Sequence, residues 1–190
     1  MSTRLIPLFV IGLLSVLMGC QSDDTLFSRL DASQTGIDFR NDIQENDTLN
    51  VFNFEYIYNG GGVGVGDVNN DGKPDVFLAG NMVSSKLYLN ESQEEKIRFK
   101  DITKIARTET AYWCTGVAMI DINQDGWLDI YVSTAFPQKN KPAPNLLFLN
   151  EGNNKEGIPT FREVAAEAGL ADSAYATQAA FFDYDHDGGL

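Results

Sequence analysis

Asp67-Val68-Asn69-Asn70-Asp71-Gly72-Lys73-Pro74-Asp75 is the stretch that decides the fold, because it recurs. The second copy is Asp121-Ile122-Asn123-Gln124-Asp125-Gly126-Trp127-Leu128-Asp129. A third starts as Asp183-Tyr184-Asp185-His186-Asp187-Gly188-Gly189, one residue before the sequence ends at Leu190. Alternate residues of a tight loop face inward, so the oxygens of Asp67, Asn69 and Asp71 are expected to converge. Gly72 permits the sharp turn, Lys73 offers its carbonyl, and Asp75 closes a shell suited to a hard cation such as Ca²⁺. The same roles fall to Asp121, Asn123, Asp125, Trp127 and Asp129. In the third copy they fall to Asp183, Asp185, Asp187 and Gly189. Close carboxylates repel one another, so the cation is expected to order each loop and tie together the strands beside it. Asx-rich turns that bind nothing are the plainer alternative, and recurrence in one strand context argues against them. An EF-hand or dockerin module needs an acidic twelfth residue and flanking helices. Leu78 and Val132 stand at that position, between strand-like sequences.

Outward from the loops, a larger unit repeats. Gly62–Gly66 leads into the first loop, Gly116–Ile120 into the second and Gln178–Phe182 into the third. Asp75–Ala79 is matched by Asp129–Ser133, Lys86–Glu91 by Leu146–Glu151, and Phe99–Ile102 by Phe161–Val164. Each unit therefore predicts four short strands. The loops start at 67, 121 and 183, and the longer second interval comes mainly from an insertion between Pro137 and Pro144. A four-stranded unit of this size predicts an all-β chain built as a partial β-propeller. It holds two complete repeats, about 60–110 and 111–172, and a truncated third at 173–190. A solenoid or a sandwich would use similar strands. Helix is a minor component, with a turn or two expected over Val164–Leu170, ending at Gly169. Ile37–Asn41 looks like an extra copy of the last strand. The alternating Phe52, Phe54, Tyr56 and Tyr58 read as one face of a strand, used for packing or, less readily, as a sugar platform.

These loops, the lead-in Tyr58-Asn59-Gly60-Gly61-Gly62-Val63 and the Leu-Tyr-Leu-Asn strand resemble FG-GAP/VCBS repeat proteins. More narrowly, they resemble exported bacterial relatives of cartilage acidic protein, which often carry an ASPIC/UnbV module. The resemblance covers residues 36–190. It implies a seven- or eight-bladed propeller with integrin-α-like blades and calcium in the loops between the first two strands, and it implies no single activity. The sequence departs from the family by stopping inside its third loop and by lacking an ASPIC/UnbV segment, so a fragment of a longer product is expected.

Residues 1–19 read as a signal peptide, with Arg4 ahead of the apolar run Leu5–Leu17. Leu17-Met18-Gly19-Cys20 resembles a lipobox, which makes Cys20 the expected lipidation site and residues 20–35 a tether. A plain cleaved signal or an uncleaved anchor are the alternatives, and each places the domain outside the cytoplasm. The expected localisation is a membrane-anchored lipoprotein at the outer membrane or cell surface of a Gram-negative bacterium. Cys114 would then be the lone thiol, in an apolar stretch that suits a buried small hydrophobe. A net charge of −13 disfavours nucleic acid and any electrostatic grip on anionic lipid. Membrane contact is thus expected through the lipid anchor alone.

His186, the single histidine, occupies a non-ligand loop position, where a solvent-facing side chain is expected. It leaves Ser-His-Asp and Cys-His arrangements no other base. Gly60-Gly61-Gly62 lacks the lysine and helix of a phosphate loop. Asn46-Asp47-Thr48 and Asn90-Glu91-Ser92 match a glycosylation pattern by chance. The expected function is a calcium-binding propeller segment for adhesion, ligand binding or assembly, with a protein or glycan partner and no catalytic residues. The alternative is part of a polysaccharide lyase or hydrolase whose site lies in other blades.

Overall fold

The computed structural model describes residues 26–94, 96–135 and 143–190. The signal segment, Cys20 and the first part of the tether lie outside the described residues, as does most of the Pro137–Pro144 insertion. Residues 26–30 belong to a separate unit and carry no helix or strand; the rest of the account concerns the unit Asp31–Leu190. Among the described residues no helix is long and apolar enough to cross a membrane.

Among the described residues eight strands form two antiparallel sheets, each a meander in chain order. The first holds β1 (Val63–Gly66), β2 (Asp75–Leu78), β3 (Lys86–Asn90) and β4 (Phe99–Asp101). The second holds β5 (Trp113–Ile120), β6 (Asp129–Ala135), β7 (Leu146–Asn153) and β8 (Pro159–Glu163). These are the eight strands predicted by the repeat, and their layout is that of propeller blades. Each acidic loop joins the first two strands of its sheet, with Gly66 opposite Asp75 and Ile120 opposite Asp129. Among the described residues two single-turn helices add little: α1 (Ala32–Thr35) and α2 (Thr103–Ala106). After β8 the expected turn is present, with Ala168 N–H bonded to the Val164 carbonyl and Gly169 at φ +72°.

The sheets are held by burial between blades. Phe77, Leu87, Leu89 and Ile102 of the first blade join Val117, Ile130, Val132, Phe148 and Phe161 of the second in one core. Every residue of β6 is buried, as expected for a strand covered on both faces. The other face of the second sheet carries Tyr131 and Leu147, packed by Ala179 and Phe181 from the third unit. Tyr131 and Phe181 meet edge to face at 5.2 Å.

The glycine lead-in is explained by the approach of the inner strands. A Cβ on Gly62 would lie 2.8 Å from the Gly116 Cα, and one on Gly116 would lie 2.4 Å from the Thr177 carbonyl oxygen. Only a residue without a side chain lets successive blades come this close. Cys114, fully buried, behaves as the expected small hydrophobe, and burial pushes its thiol pKa up.

Three local expectations are corrected. Phe52 to Tyr58 is a run of turns, not a strand. The Asn50 side chain accepts from the Phe52 and Asn53 amides, and the Asn50 carbonyl accepts from Phe54 N–H. Turn spacing buries Phe54 and Ile57 and leaves Phe52 95 % exposed. Ile37–Asn41 is likewise no strand. It is held by side chains, with the Tyr88 hydroxyl donating to Asp38 at 2.9 Å and Asn81 N–H donating to the Asn41 oxygen at 2.9 Å. Gln178–Phe182 lies against the second blade without joining a sheet. No described strand pairs with it, since the hairpin partner of β1 and β5 is the strand after their loop.

Candidate metal centre

The two complete loops have nearly the same internal bonding. The leading Asp67 accepts from Asp71 N–H at 3.1 Å and Gly72 N–H at 2.7 Å. Asp121 accepts from Asp125 N–H at 3.0 Å and Gly126 N–H at 2.8 Å. Asn69 and Asn123 each accept from the amide two residues on, at 3.2 Å. Asp71 and Asp125 accept from the Lys73 and Trp127 amides, both at 2.9 Å. The sixth residue is left-handed in every copy, with φ of +84° at Gly72, +89° at Gly126 and +90° at Gly188. So is the fourth, at Asn70, Gln124 and His186. The truncated copy therefore has the same turn geometry as the complete ones.

The ninth residue is the buried anchor. Asp75 and Asp129 are fully buried at the heads of β2 and β6. Asp75 accepts from Val68 N–H at 2.9 Å and from Asn90 N–H at 2.7 Å. Asp129 accepts from Ile122 N–H at 3.0 Å and from Asn150 N–H at 2.8 Å. Each carboxylate thus ties its loop to the third strand of its sheet. Burial raises the Asp75 pKa to about 6, opposed by its two backbone bonds and aided by the charges of Asp71 and Asp67. Asp129 is raised for the same reasons.

Sequence reasoning missed the asparagines that complete this arrangement. Asn90 Nδ2 donates to the Pro74 carbonyl. Asn150 Nδ2 donates to the Leu128 carbonyl at 3.1 Å and to Val68, in the other loop, at 2.9 Å. The recurring Leu-Asn at the end of the third repeat strand was the available signal. Asn90 is consequently a structural residue 9 % exposed, which accounts for its place in a glycosylation-like triplet.

Successive loops are also linked sideways. Asn70 Nδ2 donates to the Gly126 carbonyl at 3.0 Å, and Gln124 Nε2 donates to the Gly188 carbonyl. Each fourth residue therefore reaches the sixth residue of the next loop. Trp127 lies over Gly152 of β7, with ring atoms 3.6 Å from where a Cβ would stand. His186 is solvent-exposed, as expected.

The third loop offers the plainest donor set. One oxygen from each of Asp183, Asp185 and Asp187 falls within 4.8 Å of the others. Asp183 accepts from Gly188 N–H through Oδ2, and Asp187 from Gly189 N–H. Asp183 Oδ1 is buried and has no hydrogen-bond partner. A buried carboxylate oxygen with no donor costs free energy unless a cation or water meets it. These residues fit a hard divalent ion.

Against known families, residues 67–132 match the FG-GAP-like repeat. The match runs from the first aspartate of the first loop into β6 and takes in both complete loops. Residues 67–132 thus resemble an FG-GAP-like repeat, and the two four-stranded sheets they span are laid out as blades of a partial propeller. No curated protein matches the chain.

Proposed function

We propose that this chain is a calcium-binding propeller segment of an exported lipoprotein, serving ligand binding or adhesion at the cell surface. The observation that carries the metal reading is the third loop, where three carboxylates converge and Asp183 Oδ1 is buried without a donor. Asp67, Asn69, Asp71, Asp75 and the Lys73 carbonyl would hold an ion in the first loop. Asp121, Asn123, Asp125, Asp129 and the Trp127 carbonyl would do so in the second. Asp183, Asp185, Asp187 and the Gly189 carbonyl would serve the third. When bound, Ca²⁺ supplies the positive charge that lets these carboxylates share one small volume. The chain's own part is structural: its turns aim the oxygens, and Asp75 and Asp129 carry the order of each loop into the sheet.

FG-GAP repeats suit a ligand-binding or adhesion segment, with a protein or glycan as partner. The acidity of the chain disfavours nucleic acid as that partner. The apolar run and Cys20 support export and lipid anchoring, outside the described residues.

Terbium is the direct test, because Trp127 sits within the second loop and can sensitise it. Excitation of tryptophan should give terbium emission that Ca²⁺ competes away and that Asp125→Asn weakens. Emission indifferent to Ca²⁺, together with no calcium heat in calorimetry, would remove the metal reading. Palmitate labelling that survives Cys20→Ser would remove the anchor.

A further inference from the structure

A cavity lies at the opposite end of the blades from the acidic loops. Its volume is about 630 Å³, and its walls come from the turns at 53–60, the start of β5, the end of β6 and residues 175–177. That falls within the ~300–1,000 Å³ usual for small-molecule sites. The eight residues of β5 separate it from the second loop by roughly 23 Å.

We propose that this cavity binds a neutral saccharide, one or two sugar rings in size. The proposal rests on the ligand-binding reading above and names the ligand class. Phe54 and Trp113 form an apolar floor, packed edge to face at 5.4 Å between ring centres. Tyr56 and Tyr175, residues 59 % and 64 % exposed, line the same cavity. An exposed ring presents the flat apolar surface on which the C–H face of a pyranose stacks. Around these rings stand a carboxylate and a carboxamide, Glu55 and Asn59, exposed and with side chains that hydrogen-bond to nothing among the described residues. Acceptors and donors beside aromatic planes are what vicinal hydroxyls require.

Charge narrows the class. No lysine, arginine or histidine is among the described lining residues, and Glu55 is the one carboxylate. A phosphate, sulfate or uronate would meet only negative charge, in a chain of net charge −13. A quaternary ammonium needs ring faces closing around a small volume. Here the two floor rings are set edge to face, and the space is larger than such a headgroup fills. The structure also supplies what the sequence concealed. As alternate residues of a strand the four aromatics would share one face, whereas the turn turns Phe54 inward and holds Tyr56 at the rim.

The test uses the full chain in Ca²⁺ buffer. Saturation-transfer NMR and calorimetry would be run with cellobiose, N-acetylchitobiose, mannobiose, lactose, digalacturonate and tetramethylammonium. At least one neutral disaccharide should bind. Tyr56→Ala and Asn59→Ala should each weaken it about tenfold, the effect of losing one stacked or hydrogen-bonded anchor. Phe52→Ala, outside the cavity, should leave it unchanged. Tyr56 and Asn59 are exposed, and an unaltered melting temperature would confirm that each variant folds. Binding of none of the neutral sugars overturns the proposal, as does preference for digalacturonate or tetramethylammonium, or indifference to both variants. Terbium binding by the same protein in calcium-free buffer separates the two ideas. If terbium binds and no sugar does, the saccharide site is lost and the metal reading stands.

Discussion

The first two acidic loops and the third share a backbone, yet they satisfy their leading aspartate differently. Asp67 and Asp121 each take two amide donors, one per oxygen. Asp183 takes one, through Oδ2, and its other oxygen is buried alone. Behind the first two loops stand a ninth-position carboxylate and a third strand whose asparagine reaches back to the loop. Turn geometry and the donors to the leading carboxylate are therefore both local, met by amides of the same loop, whereas the ninth carboxylate depends on the strand behind the loop.

The largest expected effect tests the buried anchor. Asp129→Ala removes two charge-assisted bonds and should cost about 3 kcal/mol, read as a lower denaturant midpoint. The loss should be present in chelator as well as in Ca²⁺, because the partners are backbone amides. A loss confined to Ca²⁺ would show that Asp129 acts through the ion and not through its two amide donors. Calcium itself should stabilise by about 2.7 kcal/mol at a hundredfold excess over Kd. Asp183→Asn should reduce the number of ions bound without lowering the metal-free melting temperature.

The pH dependence follows from Asp75 and Asp129. The folded Asp75 pKa of about 6 exceeds its ordinary value of 3.8. The folded state thus binds the proton more tightly between those values, and stability falls as pH rises from about 4 through 6. Asp129 acts in the same direction. The metal-free protein should melt lower at pH 7 than at pH 5, and Ca²⁺ should narrow that difference. A melting temperature rising with pH in chelator would contradict it. Asn70→Ala, which removes the link from the first loop to the second, should cost about 1 kcal/mol and weaken terbium binding at Trp127. Terbium affinity equal to that of the unaltered chain would show the loops to be independent. Phe52→Ala should be the smallest change, within about 0.5 kcal/mol, since the ring is 95 % exposed.

Much of this was legible in the residues. Alternating oxygens around a glycine specify a turn by rules that act within nine residues, and apolar runs on either side specify strands. The eight strands and their meander order follow from those local signals and their repetition. The misread segments are those whose conformation is set by capping. Phe52 to Tyr58 alternates like a strand, but Asn50 supplies a local acceptor that competes with any sheet partner. Gln178–Phe182 has strand-like composition and no described strand to pair with.

By itself the sequence determined the acidic turns, the four-stranded period and the inner-strand glycines, all products of short-range sterics and side-chain alternation. Tertiary structure alone decided that Asp75 and Asp129 are buried anchors, that Asn150 bridges two loops, and that Phe54 and Tyr56 part company at a cavity. Those outcomes depend on residues as far apart as Val68 and Asn150. Desolvation and hydrogen bonding across that separation arise only when two blades pack together, and no local pattern encodes them.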